Sequence, residues 1–190
     1  MELGTLHEHT VAEWARLVES VDEVEWQQRT PCSEWSVRDL VNHVVGEDLW
    51  TAPLLQGSTI EEVGDRFDGD LLGDDPVARA RAAAAEAVAA VTDRLPHGGT
   101  VHLSYGEEQL DEYVYQLAAD HLVHGWDLAA ATRTDGAFDP EAVGAIAGWY
   151  AEREELYRSA GAVAPRPAQV GNDALSRLIA AFGRDPGWSP

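Results

Sequence analysis

The sequence contains no lysine, and all 13 of its basic residues are arginines set against 34 acidic ones, for a formal charge of −21. Contact with a polynucleotide backbone needs clustered cations that release counterions, so this balance argues against a nucleic-acid partner. The same deficit argues against anionic membrane surfaces. There is a single cysteine, Cys32, which has no partner for an internal disulfide. Long apolar runs are also missing: Ala82 to Val91 is mostly alanine and is interrupted by Glu86, far short of the roughly 20 apolar residues that span a bilayer. Met1 to Thr10 has neither the cationic start nor the apolar run of a secretory leader. The expectation is a soluble cytoplasmic protein. Alternating β-branched residues are scarce, which leaves room for one short hairpin at most.

What is present is helical periodicity in a chain of 190 residues, 45% of them apolar, enough for one domain with a real core. Val11, Trp14, Leu17, Val18 and Val21 predict a first amphipathic helix over 10–21. Ser36 reads as an N-cap with Asp39 in the capping-box position, opening a second helix that ends near Gly57. The acidic, glycine-containing stretch from Ser58 to Asp75 reads as a connection with at most one short turn. Asp75-Pro76 caps a third helix to about Leu95. Thr100 to Tyr105 alternates like one arm of a hairpin. A fourth helix runs from about Glu108 to Thr132, a fifth from Pro140 to about Ser159, and a last short one from Ala174 to Phe182, stopped by Gly183. No internal repeat is visible. The expected fold is all-α: four principal helices in a bundle over 1–160, then an extended linker around Pro165-Arg166-Pro167 and a C-terminal helix packed on the bundle over 161–190.

The histidines supply the candidate chemistry. Asp120 and His124 are one turn apart, about 6 Å of rise and 40° of rotation in an ideal helix, on the apolar side flanked by Leu117 and Leu128. A carboxylate and an imidazole directed into a bundle interior need compensation, and a divalent cation compensates both at once. His121 shares the stripe as a rival ligand. His43 borders the apolar stripe of the second helix, with Glu47 one turn later. If the second and fourth helices pack side by side, His43 completes a three-ligand site with positions left open for water or substrate. The competing reading is a hydrogen-bonded core in which Asp120 merely fixes a histidine tautomer.

Cys32, ahead of a helix N-terminus, is a candidate nucleophile. Yet the seven residues from Ser36 to His43 span about 10 Å of helix, which places Cys32 too far to share the His43 site. His7, His9, His97 and His102 lie in terminal or turn-like contexts and are expected in solvent. Trp35, Trp50 and Trp126 are candidates for walling the pocket.

Two segments carry a resemblance. Thr30-Pro31-Cys32-Ser33-Glu34-Trp35-Ser36-Val37-Arg38-Asp39-Leu40-Val41-Asn42-His43-Val44-Val45-Gly46 resembles the second-helix signature of the actinobacterial mycothiol-dependent maleylpyruvate isomerase family. Asp120-His121-Leu122-Val123-His124-Gly125-Trp126-Asp127-Leu128-Ala129 is similar to its fourth-helix signature, an acidic residue followed after three others by His-x-x-Asp-Leu. Phe182-Gly183-Arg184-Asp185-Pro186 is similar to the ending of one subgroup. The lysine-free, alanine-rich usage also looks like that of a GC-rich actinobacterial genome, with a halophile as the other source.

The resemblance implies a DinB-like metal-binding four-helix bundle with His43, Asp120 and His124 as ligands. It implies zinc, with nickel or iron as the other options, and mycothiol or a similar thiol as cosubstrate. His121 and Asp127 would orient ligands or move protons. The characterised isomerase type has glutamate where this chain has Asp120, and a C-terminal domain that supplies a substrate-binding arginine. This chain reaches Pro190 after one short helix, and none of Arg166, Arg177 and Arg184 matches that arginine. The expectation is therefore a short member that carries out S-transfer or thiol-assisted isomerisation, as a monomer or homodimer acting on a small thiol and an electrophile, but not maleylpyruvate isomerisation itself. The alternatives are a metal-dependent hydrolase and a metal-binding bundle that catalyses nothing.

Overall fold

The computed structural model describes residues 1–190, and its architecture is mostly helical with one two-stranded sheet. In chain order the elements are α1 (Leu3–Glu19), α2 (Val37–Leu55), α3 (Ile60–Val63), α4 (Pro76–Arg94), β1 (Thr100–Leu103), β2 (Gly106–Gln109), α5 (Leu110–Thr132), α6 (Pro140–Ala151), α7 (Glu154–Ser159) and α8 (Ala174–Ala181). A short 3-10 turn, Leu95–His97, joins α4 to the hairpin. Strands β1 and β2 are antiparallel, with Thr100 opposite Gln109 and Leu103 opposite Gly106. No helix is long and apolar enough to cross a membrane.

The four long helices pack as a ring of neighbours: α1 lies against α4 and α5, and α2 lies against the same two. Trp14 and Leu17 of α1, Leu40 and Val44 of α2, Ala83 of α4 and Leu128 of α5 share one buried cluster between them. A second cluster joins the opposite face of α5, through Leu122 and Val123, to Ile146 and Trp149 of α6 and Ile179 of α8. Helix α5 is thus buried along two faces, and polar side chains on it are enclosed unless a cavity reaches them. Each boundary has a local cause. Ser36 Oγ accepts from the Asp39 amide while the Asp39 carboxylate accepts from the Ser36 amide, the reciprocal capping box that starts α2. Asp75 and Asp173 cap α4 and α8 through their side chains.

Three expectations are corrected. Helix α1 begins at Leu3, not at Thr10. Its buried stripe continues backwards through Leu6, His7 and Thr10, so two polar residues stand on the core face and disguise it. His7, expected in solvent, is fully buried. Its ring meets that of His121 edge-on at 5.8 Å, and burial together with His121 pulls its pKa down to about 3. It is therefore a neutral core imidazole. The expected single helix from Pro140 to Ser159 is broken at Glu152-Arg153, where Arg153 donates its amide to the Tyr150 carbonyl and α7 starts as a separate helix.

Helix α2 carries His43 two turns after its cap, so the cap bears on the site. Ser36→Ala should lower stability by about 1 kcal/mol, read as a shift in the urea midpoint. An unchanged midpoint would mean that the turn before α2, not the capping box, holds its start.

Candidate metal centre

The site forms where the first half of α2 faces the middle of α5. His43 Nε2 lies 3.8 Å from Asp120 Oδ2, and His124 Nε2 lies 3.3 Å from Asp120 Oδ1. Ligand atoms of His43, Asp120 and His124 all lie within 4.8 Å of one another. Asp120 opens onto a cavity, yet its Oδ2 atom is buried and has no hydrogen-bond partner. A buried carboxylate oxygen without a donor costs about 1–3 kcal/mol or more, and a cation between it and the two imidazoles removes that cost. The donor set, two imidazoles and a carboxylate, fits a divalent transition metal.

The surroundings hold these side chains in place. His124 Nδ1 donates to Asp127 Oδ2 at 2.9 Å, which leaves Nε2 directed at Asp120. Asp127 is fully buried and also accepts from Arg184 Nη2 at 3.1 Å and from Cys32 Sγ at 3.3 Å. The indole of Trp35 lies 4.8 Å from the His43 ring and 5.8 Å from the His124 ring, between centroids. Burial draws the His124 pKa down, but the Asp120 charge and hydrogen bonds to Asp120, Asp127 and Cys32 outweigh it and hold the imidazole well above its ordinary value of 6.5. Burial pushes Asp120 up, but His124 and His43 outweigh it and hold the carboxyl well below its ordinary value. Glu47 moves the other way, raised by burial and then by the Asp120 charge.

The structure brings Cys32 into the site, against the estimate from helix length. Thr30 to Trp35 does not extend the α2 axis. It folds back through a turn in which the Trp35 amide donates to the Cys32 carbonyl at 2.9 Å, and the Val37 amide donates to Gln28. The thiol ends 4.0 Å from His124 Nδ1. Cys32, His124 and Asp127 consequently form a second group of ligand-type atoms, but the Arg184 guanidinium, 3.4 Å from Cys32 Sγ, already places a cation there.

His121 does not reach the cavity. Its Nε2 lies 3.1 Å from Asp48 Oδ1, both side chains fully buried, and its Nδ1 bonds the Leu117 carbonyl. Asp127 is likewise off the cavity wall and acts on the site through His124. Of the three tryptophans, only Trp35 lines the cavity. Trp50 packs on Phe67, and Trp126 packs against the α5–α6–α8 cluster.

Arg184, which the sequence reading set aside with Arg166 and Arg177, is at the site. It lines the same cavity, of about 440 Å³, with Phe182. Gly183, at φ 78°, makes the reversal after α8 that delivers it, and a Cβ there would meet the Ala164 carbonyl oxygen at 2.5 Å. The signal was present in the Phe182-Gly183-Arg184 run.

The sequence profile of the Mycothiol maleylpyruvate isomerase N-terminal domain matches residues 7–129. The chain belongs to that family. Members of the mycothiol maleylpyruvate isomerase N-terminal domain family are mycothiol-related, DinB-like metal-binding proteins. Two Mycobacterium tuberculosis proteins, Uncharacterized protein Rv0738 of strain H37Rv and Uncharacterized protein MT0763 of strain CDC 1551, are each 34% identical over 142 residues, covering 71% of this chain and 70% of their own length. No solved structure gives a significant match. The family match spans His43, Asp120, His124 and Asp127, while Trp149, Phe182 and Arg184 lie beyond it.

The charge arrangement fixes a pH dependence for the metal-free protein. The raised His124 pKa contributes stability that is full below 6.5 and is lost as pH rises through the folded value. Asp120 and Asp127 are lowered, so their contribution is lost only in acid. With a chelator present, the melting temperature of the wild type should fall more between about pH 6 and about pH 9 than that of His124→Gln. Parallel curves would contradict the imidazolium–carboxylate arrangement.

Proposed function

We propose that the protein is a divalent-metal-dependent enzyme of low-molecular-weight thiol chemistry, an S-transferase or isomerase-like catalyst that uses mycothiol or a similar thiol. In this reading α1, α2, α4 and α5 are the four-helix bundle of a DinB-like fold, and His43, Asp120 and His124 hold the ion. The observation that carries it is the buried, unpartnered Asp120 Oδ2 facing His43 Nε2 at 3.8 Å while His124 Nε2 faces Oδ1 at 3.3 Å.

Zinc suits a donor set of two imidazoles and a carboxylate, with nickel and iron next. When bound, the ion supplies Lewis acidity that lowers the pKa of a coordinating thiol, so that a thiolate is available near neutral pH. The chain's own groups do the rest. Asp127 keeps the His124 Nδ1 proton in place and Arg184 neutralises Asp127, so Nε2 stays directed at the ligand position. Glu47 lies on the wall of the same cavity, one turn beyond His43, and is the carboxyl placed to exchange a proton with a ligand there. Trp35 and Phe182 exclude water from the side facing Cys32 and Arg184. Asp120 is one methylene shorter than the glutamate of the characterised isomerase type, and the 3.8 Å gap to His43 leaves room for an ion between them.

Protein purified without chelator should carry about one divalent ion per chain, and His43→Ala and His124→Ala should each lose it. In cobalt-substituted protein, addition of mycothiol should produce a thiolate-to-cobalt absorption band. Metal-free wild type, or a cobalt spectrum that mycothiol leaves unchanged, overturns the reading. A metal-loaded protein without the band is the hydrolytic or non-catalytic case.

A further inference from the structure

The cavity is a cleft laid along one face of α5. From Tyr113 to His124, both on its wall, is eleven residues, about 16 Å of helix. The His43–Asp120–His124 group occupies one stretch of it. Trp149 of α6, hydrogen-bonded to Glu112 in the first turn of α5, and Tyr157 of α7 beside it mark the other end, and Ala162 and Val163 of the segment that follows complete the wall. Two of the polar groups at that end are already used, since Trp149 Nε1 donates to Glu112 Oε2 at 3.0 Å and Gln116 Nε2 donates to Tyr105 Oη at 2.7 Å, while the buried Tyr113 hydroxyl, which is uncharged, has no partner.

The charges there are used as well. Arg153 is held by Glu112 at 2.7 Å, and Arg158 and Arg166 are both held by Glu154. Arg184, the arginine on the cleft wall, is bound to Asp127. The acidic side chains on the cleft wall, Asp120 and Glu47, have no arginine partner, and the two imidazoles there, His43 and His124, are turned to Asp120. A carboxylate or phosphate on the ligand would find no free guanidinium and would lose its hydration beside other carboxylates. A planar apolar group would instead lie against aromatic rings and valine, where burial is favourable.

We propose that this end of the cleft binds the uncharged, planar, apolar portion of the second substrate, so that the site selects neutral aromatic electrophiles over carboxylate-bearing ones. Calling this ligand the electrophile rests on the thiol reading above; the binding preference does not. It follows from which arginines are already paired and from the aromatic wall.

The test is saturable quenching of tryptophan fluorescence by two probes that share a ring, 1,3-dinitrobenzene and 3,5-dinitrobenzoate, on the full chain without zinc. In the zinc-free protein the neutral probe should bind at least about tenfold more tightly than its carboxylate analogue; with zinc the carboxylate has a metal position to occupy, so the preference is read without it. Val163→Glu should weaken the neutral probe several-fold. Val163→Lys, which places an unpaired cation at the same position, should strengthen dinitrobenzoate, a gain that a misfolded variant does not show. Equal or tighter binding of dinitrobenzoate by the zinc-free wild type, or indifference of both probes to the Val163 variants, overturns the proposal. A protein that shows the neutral preference but no thiol response with cobalt keeps this subsite and loses the thiol reading.

Discussion

Everything at the site turns on one carboxylate. Asp120 faces His124 with one oxygen and holds the other, buried and without a donor, across from His43. A bundle interior does not retain such an atom for stability alone, since an apolar side chain of similar volume would pack there without the desolvation cost. The positions of the neighbours follow from that need. Trp35 lies tilted against both imidazoles, Asp127 sets the His124 tautomer, and Arg184 together with Cys32 satisfies Asp127 in turn. Each group in this chain is compensated by the next, and the sequence of compensations stops at Asp120 Oδ2.

The pocket is assembled from two parts of the chain with different origins. Helices α2 and α5 bring the ligand-type residues, and those residues lie within the span shared with the family. Part of the wall comes from α6, α7, the segment after α7 and the turn after α8, beyond that span. A common core that presents the candidate ligand side chains and a later segment that shapes part of the space above them let one fold accept different ligands. The glycine at 183 is the hinge of that arrangement, because a side chain there would collide with the Ala164 carbonyl.

Much of the architecture was legible in residue patterns. The capping residues Ser36 and Asp75 stand where the helices start, and the hairpin falls where alternation was seen, because caps and alternation are local signals. The pairing of Asp120 with His124 was legible because helix geometry fixes residues four apart. Non-local features were not. Cys32 was misplaced because distance along a helix axis says nothing about a loop that folds back over it. His7 was misjudged because a polar residue on a core stripe looks like the end of the stripe. His121 was grouped with the candidate site because it shares the apolar stripe, but the one-residue step from Asp120 turns its side chain by about 100°, towards Asp48 instead of the cavity.

The structure contains two groups of ligand-type side chains that share His124, one with His43 and Asp120 and the other with Cys32 and Asp127. X-ray absorption at the zinc edge of the zinc-loaded protein separates them directly. The account predicts a first shell of nitrogen and oxygen at about 2.0–2.1 Å with no sulfur when no thiol is added. A zinc–sulfur distance of about 2.3 Å in that same sample would place the ion at Cys32 and contradict the central claim.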